Sequence, residues 1–225
     1  MSSSTADFDV VDRVLADRRS CRGFLDEQVP REVIEQLLTS AQRTASWCNT
    51  QPWKVVITSG EATTKLAEAL STSSEGFGSD FEFPAGYSGV HAERRREVGW
   101  QLYDAVGVAK GDREASGREM MRNFDFFGAP HMALVSAPVE LGTYGAVDCG
   151  LYVNSFLLAA EALGLGTCAQ AAVAGRSPFL REWFDLSDDR LIVCGIAFGR
   201  PDPDHPSAHF TSHRSPIVEA VTFYD

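Results

Sequence analysis

Hydrophobic and polar positions follow two periods along this chain, and each change of period marks an element. Val10, Val11, Val14 and Leu15 recur at helical spacing, so a helix is expected over residues 10–18, ending in a basic cluster. Pro30 opens a second helix through residue 43, with Val33, Ile34, Leu37, Leu38 and Ala41 on one stripe. Val55-Val56-Ile57-Thr58 reads as a buried strand closed by Ser59-Gly60, and residues 61–70 as a helix packing back on it. Two further apolar runs, residues 131–137 and 191–198, read as strands, the second closed by Gly199-Arg200-Pro201. The stretch 146–163 is apolar on nearly every face, the pattern of a helix buried centrally or against a partner subunit. Gly164 and Gly166 stop it, and residues 167–173 continue as a small-residue strand or loop.

From residue 71 to 127 the character changes. Ser, Gly and Phe dominate at first, then two charged helical stretches follow at about 91–108 and 113–123. Neither is apolar enough for a core, so 71–127 is expected to be a covering insertion within one domain spanning 1–225. The tail from residue 203 to 225 forms a C-terminal arm with a final β-like stretch over 217–224. Strands separated by helices indicate an α/β or α+β layered fold.

Charge narrows the partners. Twenty Lys+Arg against 31 Asp+Glu give a net charge of −11, which argues against nucleic acid or an anionic membrane surface. The first nine residues are small and polar, so no signal peptide is expected, and the most apolar stretch, 151–166, is too short and too interrupted to span a bilayer. Five cysteines without a CxxC pair, and five histidines without metal spacing, argue against a disulfide framework or a metal site and for a reducing cytoplasm. No GxGxxG, GxxxxGK[ST] or GxSxG motif is present.

Four segments stand out for their chemistry. Arg18-Arg19-Ser20-Cys21-Arg22 concentrates three guanidinia in an acidic chain; such forks suit a phosphate, and a solvated basic helix end is the plainer alternative. In the loop 46–53, Ser46 precedes two amides, Asn49 and Gln51, set between Trp47 and Trp53; this suits a flat heteroaromatic ring, or else is an ordinary turn leading into the core. The segment 164–172, ending in Gln170-Ala171-Ala172, is small enough for a ligand to approach backbone N–H groups, or is a plain connection. Arg214 sits in a polar tail, where a lone arginine is ordinarily solvated. Cys48 and Cys168 have no neighbour that would lower their pKa.

Taken in order, these segments resemble the FMN-dependent nitroreductase family. Residues 18–24 look like its RRSxRxF motif, 46–53 its SxxNxQPW loop, 164–167 its GLGT turn, and 195–201 its late strand ending in GxP. Residues 123–130, 103–107 and the preceding insertion are similar to the nitrobenzoate-reductase branch. The chain departs from the family pattern at Ala45, at Ala171-Ala172 and at Ser212.

The resemblance implies an α+β fold with a mixed sheet flanked by helices, in a homodimer with FMN at its interface. Arg18, Arg19, Ser20, Arg22 and Arg214 would then hold the FMN phosphate and ribityl chain. Ser46, Trp47 and Asn49, supported by Gln51, would line the isoalloxazine from the partner, and the Gln170-Ala171-Ala172 backbone would face its reducible edge. Trp47, Asn123, Phe124 and Phe126 are the expected substrate contacts. The implied activity is ping-pong transfer of hydride from NADH or NADPH to a small nitroaromatic or quinone acceptor, with no catalytic side chain because the cofactor does the chemistry. A reductive dehalogenase, a flavin-destroying synthase of the same fold, a flavin-binding sensor without turnover and a purely structural dimer are the alternatives.

Overall fold

The computed structural model describes residues 2–73 and 76–224. Met1, Ser74, Glu75 and Asp225, parts of the expected domain, insertion and arm, lie outside the described residues.

A four-stranded sheet in the order β1-β2-β4-β3 organises the chain, with β1 at Lys54–Ser59, β2 at His131–Pro138, β3 at Gly166–Gln170 and β4 at Arg190–Gly199. The two central strands, β2 and β4, are buried almost throughout, which is why each reads as an unbroken apolar run. Their side chains alternate between two cores. Ala133, Val135 and Ala137 of β2 face one, and Met132 and Leu134 face the other. The first core is closed by α2 (Arg31–Ala41) and α6 (Gly142–Ala162) through Leu37, Ala41, Tyr152 and Phe156. The second is closed by α3 (Glu61–Thr72), α7 (Ala171–Ala174) and α8 (Ser177–Trp183) through Leu66, Leu70, Val173 and Leu180.

Glycines fix the two turns that aim the site. Gly164 takes φ +71° at the end of α6, and Gly164 N and Leu165 N donate to the Glu161 and Ala160 carbonyls at 2.9 Å each, a Schellman close that turns the chain into β3. Gly107, at φ +73°, similarly ends α4 (Gly89–Ala105). The next helix, α5 (Arg113–Met121), is capped by Asp112, whose side chain accepts from Ala115 N at 2.9 Å. Neither α4 nor α5 contains a buried residue.

Several expectations are corrected. The expected mixed sheet is antiparallel in all four strands, and its parallel component is confined to isolated bridges such as Ser20↔Thr167. The first helix, α1 (Ser2–Asp17), starts well before residue 10, because the polar residues preceding the apolar stripe contain no Pro or Gly to stop it. Helix α8 was not anticipated; seven residues are too few for a period to register. The stretch 217–224 is not a strand: Ile217–Glu219 is a 3₁₀ turn, and the tail finds no sheet edge among the described residues. Within this chain helix α6 is buried on one side, and Tyr144, Val147 and Leu151 form an exposed apolar stripe along the other, so of the two expected settings the wholly central one is excluded and the partner-facing one is untouched.

Candidate functional site

The arginine segment is laid along the open edge of β3. Ser20 bridges Thr167, Cys21 N donates to the Thr167 carbonyl at 2.8 Å, and Leu25 N donates to the Arg200 carbonyl at 3.0 Å. Two glycines allow this close approach. A Cβ on Gly166 would lie 2.8 Å from Cys21 Sγ, and one on Gly23 only 2.1 Å from the His205 ring. The result is a cleft of ≈ 260 Å³ lined by Arg18, Arg19, Ser20, Arg22 and Arg214, with Thr211 and Ser212 adding hydroxyls. Among the described residues no carboxylate lines it. Glu161 lies within electrostatic reach of Arg19 and Arg18, but four guanidinia facing one cleft, none in an ion pair among the described residues, repel one another and suit an anion. Arg214, expected from sequence to be ordinary tail or phosphate ligand, is brought to this cleft, with its Nη1 donating to the Ser212 carbonyl and hydroxyl at 3.0 and 2.8 Å.

Arg22 also lines a second, adjoining cavity of ≈ 180 Å³ with Tyr103, Glu119, Met120, Asn123 and Phe127. Its guanidinium lies 5.8 Å from the Phe127 ring centroid, and that of Arg122 lies 5.6 Å from the same ring. Arg122 further donates to the Arg22 carbonyl at 3.2 Å and contacts His205 Nε2 at 3.2 Å. Arginine can only donate, so Nε2 accepts there, while Nδ1 lies 2.9 Å from Ser207 Oγ and 3.2 Å from Ser207 N. Burial, reinforced by the Arg122 charge, pushes the His205 pKa down against the opposing pull of Glu119 and Asp202.

The loop 46–53 is strained and tightly held. Cys48, Asn49 and Gln51 take φ of 51°, 57° and 46°, a cluster of left-handed non-glycine residues that persists only where surrounding bonds over-determine it. Ser46 Oγ accepts from Gln51 N at 2.9 Å, Gln51 Nε2 donates to the Asn49 carbonyl at 3.3 Å, and Gln42 Nε2 donates to Gln51 Oε1 at 3.1 Å. Gln51 thus supports the loop with its own amide. The buried Asp148 carboxylate accepts Trp47 N at 3.1 and 3.2 Å, and buried Arg190 donates to the Pro52 carbonyl at 2.9 Å. Trp47 itself is 60% exposed beside Tyr144, with ring centroids 4.5 Å apart, and Asn49 is also exposed. Trp53 is core and stacks on Tyr152.

Chain topology keeps this loop away from the arginines. The loop feeds β1 and the arginine segment borders β3, and these are opposite edges of the sheet. Three strand spacings separate those edges by about 14 Å, and no described cavity contains residues of both.

The segment 170–172 begins α7. Ala171 is exposed, Ala172 half-buried, and Gln170 almost wholly buried. Gln170 Nε2 donates to the Asn123 carbonyl at 2.8 Å and to its Oδ1 at 3.3 Å, while Asn123 Nδ2 donates to the Met120 carbonyl at 2.9 Å. The Asn123 amide, expected to reach a ligand, is therefore occupied in joining α5 to β3, although the residue still lines the second cavity. Phe126 is corrected outright: it is 0% exposed in the second core, held there by a left-handed backbone, and is no pocket wall. Phe124 is half-buried against that core, with the Arg176 guanidinium 5.1 Å from its ring.

Asp148, Arg122 and His205 were missed from sequence. An acid inside an otherwise apolar helix was a usable signal for Asp148; the Arg122–His205 contact, 83 residues apart, left none. Four of the five thiols are poor nucleophiles: burial pushes Cys149 and Cys168 to about 11 and Cys194 to about 12, and raises Cys21 as well, whereas Cys48 is exposed. Among the described residues no His/Cys/Asp/Glu group could hold a metal, and no helix is long and apolar enough to cross a membrane.

A model of the nitroreductase family matches residues 15–200, most of the chain and all of the sheet. The chain belongs to the nitroreductase family. It is 33% identical over 219 residues to a 4-nitrobenzoate reductase of Nocardioides sp., covering 94% of this chain and 89% of that protein. It is 32% identical to the nitrobenzene nitroreductase of Ectopseudomonas oleovorans, covering 95% and 96%. Among solved nitroreductases, the FMN-dependent NfnB of Mycobacterium smegmatis in complex with NADPH superposes with a TM-score of 0.92, at 31% identity, over 96% of this chain and 99% of that one.

Proposed function

We propose that this nitroreductase is an FMN-dependent oxidoreductase that uses NAD(P)H to reduce small nitroaromatic or quinone acceptors. The observation that carries the reading is the acid-free cleft where Arg18, Arg19, Arg22 and Arg214 converge on the β3 edge of a chain with net charge −11. The donor set fits the phosphate dianion of FMN: guanidinium forks, the Ser20 hydroxyl and no competing carboxylate. Nitroaromatic reductases among the relatives, and NADPH on NfnB, support the acceptor and donor classes.

FMN, when bound, supplies the hydride-carrying centre. The chain supplies position and environment. Arg18, Arg19, Arg22 and Arg214 would hold the phosphate together with the Ser20 hydroxyl, and the Gln170-Ala171-Ala172 backbone would supply N–H groups toward the ring. Ser46, Trp47 and Asn49 complete the ring pocket from a second copy of the chain, since their own copy holds them at the opposite sheet edge. The exposed apolar residues Phe8, Val11 and Leu15 of α1, Tyr144, Val147 and Leu151 of α6, and Ile217, Val218 and Phe223 of the arm are the material for that homodimer. Residues 71–127, with α4 and α5, form the cover, Trp47 and Phe124 flank the acceptor, and five free thiols suit a reducing cytoplasm.

Initial rates with NADPH and 4-nitrobenzoate varied together test the reading. Parallel double-reciprocal lines are expected, because donor and acceptor occupy one site in turn. Intersecting lines would exclude the shared site, and no acceptor-dependent NAD(P)H oxidation would exclude the enzyme.

A further inference from the structure

Helix α4 is surrounded by cavities. On one side it borders the arginine cleft through Val98; another cavity, of ≈ 450 Å³, joins its Arg94 and Arg95 to Ser212 and Arg214. A third cavity, of ≈ 680 Å³, lies between α4 and the preceding segment 84–87, where Tyr87, Arg95, Arg96, Trp100 and Tyr103 line it. It shares Arg95 with the cavity beside Arg214 and Tyr103 with the cavity of Arg22 and Asn123, so it adjoins the proposed flavin site at both ends.

Arg94, one residue away, is paired with Glu219 at 2.7 Å, but among the described residues neither Arg95 nor Arg96 forms an ion pair. No acid lines the cavity. The Arg95 guanidinium sits 5.2 Å from the Tyr87 ring centroid, and Trp100, which carries Lys110 Nζ 5.5 Å over its ring and packs edge-on against Tyr103, adds a further aromatic wall and a further cation. Two unpaired forks beside aromatic faces suit a dianion attached to a flat heterocycle.

We infer that this cavity takes the adenosine 2′-phosphate end of NADPH and makes the enzyme select NADPH over NADH. This rests on the proposed function and extends it to the donor. A monocarboxylate acceptor with one ring needs only one fork and fills little of ≈ 680 Å³. A phosphomonoester needs both arginines, and a purine uses the aromatic walls. Tyr103, shared with the cavity of Arg22 and Asn123, marks the direction in which the nicotinamide end would lie.

The test is calorimetric titration of the protein as isolated with 2′,5′-ADP and with 5′-AMP, which differ in the 2′-phosphate. Wild type should bind 2′,5′-ADP at least about tenfold more tightly, the value of one charge-assisted contact. Arg95→Gln/Arg96→Gln should abolish that preference and lower the NADPH-over-NADH ratio of kcat/KM, whereas Arg113→Gln, an equal charge change outside the cavity, should retain both. Equal binding of the two nucleotides by wild type, or a preference surviving in the double variant, overturns the inference. So does a double variant whose only defect is a raised KM for 4-nitrobenzoate and not for nitrobenzene, which makes this an acceptor site. The titration requires no turnover, so lack of flavin in the protein bears on the proposed function alone.

Discussion

Arg22→Ala is the sharpest perturbation of the phosphate assignment. Arg22 lines both the anion cleft and the adjoining cavity, and its guanidinium is oriented by the Phe127 ring and by a 3.3 Å bond from Nη1 to the Ser20 carbonyl. Removing a charge-assisted contact of this kind costs about 1.5–3 kcal/mol. At a factor of ten per 1.4 kcal/mol, FMN should bind roughly 10- to 150-fold more weakly. Arg18, Arg19 and Arg214 remain in the cleft, so binding should be weakened and not abolished. Arg22→Lys should fall between, since it keeps the charge but loses the fork and the fit over Phe127. The assay is quenching of flavin fluorescence on titration into flavin-free protein, with a melting curve to exclude misfolding. Raising ionic strength should narrow the gap between wild type and variant, because the cleft is partly solvated. An FMN Kd within about twofold of wild type in both Arg22→Ala and Arg214→Ala would refute the reasoning.

Phe126→Ala should destabilise the fold by about 3–5 kcal/mol, as expected for a fully buried ring, and lower the melting temperature; a surface role predicts almost no shift. His205 and His131 both have depressed folded pKa values, so below the unfolded value near 6.5 the unfolded chain binds protons that the folded one refuses. Stability should therefore fall as pH drops below the unfolded value of 6.5, and His205→Gln should flatten that slope in pH-dependent melts. If the ring pocket spans two copies, FMN should raise the melting temperature and suppress subunit dissociation together, read by sedimentation with and without flavin. A dimer indifferent to flavin contradicts the two-copy site.

What the chain discloses in one dimension follows from where its physics is local. Central strands β2 and β4 are buried on both faces, so Met132 to Ala137 and Ile192 to Phe198 spell themselves out as apolar runs. Helix α2 shows its stripe for the converse reason, having a single buried face. Arg18 to Arg22 were legible as a phosphate candidate because charge density is a local property, and the fold needed only to add Arg214. Where contacts span the chain the reading failed. Phe126 looked like a pocket wall because its neighbours are aromatic and polar, but a left-handed turn sends its ring into the core. The tail 217–224 has strand-like residues, yet a strand needs a free edge, and its own sheet provides none that it reaches. Asp148 under Trp47, and Arg122 against His205, pair residues about a hundred positions apart or nearly so, with no periodicity to announce them.

The central claim is that the arginine cleft holds FMN for hydride transfer from a nicotinamide. A visible spectrum of the purified protein, taken without oxygen before and after adding NADPH and then NADH, tests it directly. The account predicts a flavin band at about 450 nm that bleaches with the nicotinamide, and more readily with NADPH. A colourless protein that also fails to bind added FMN would contradict it.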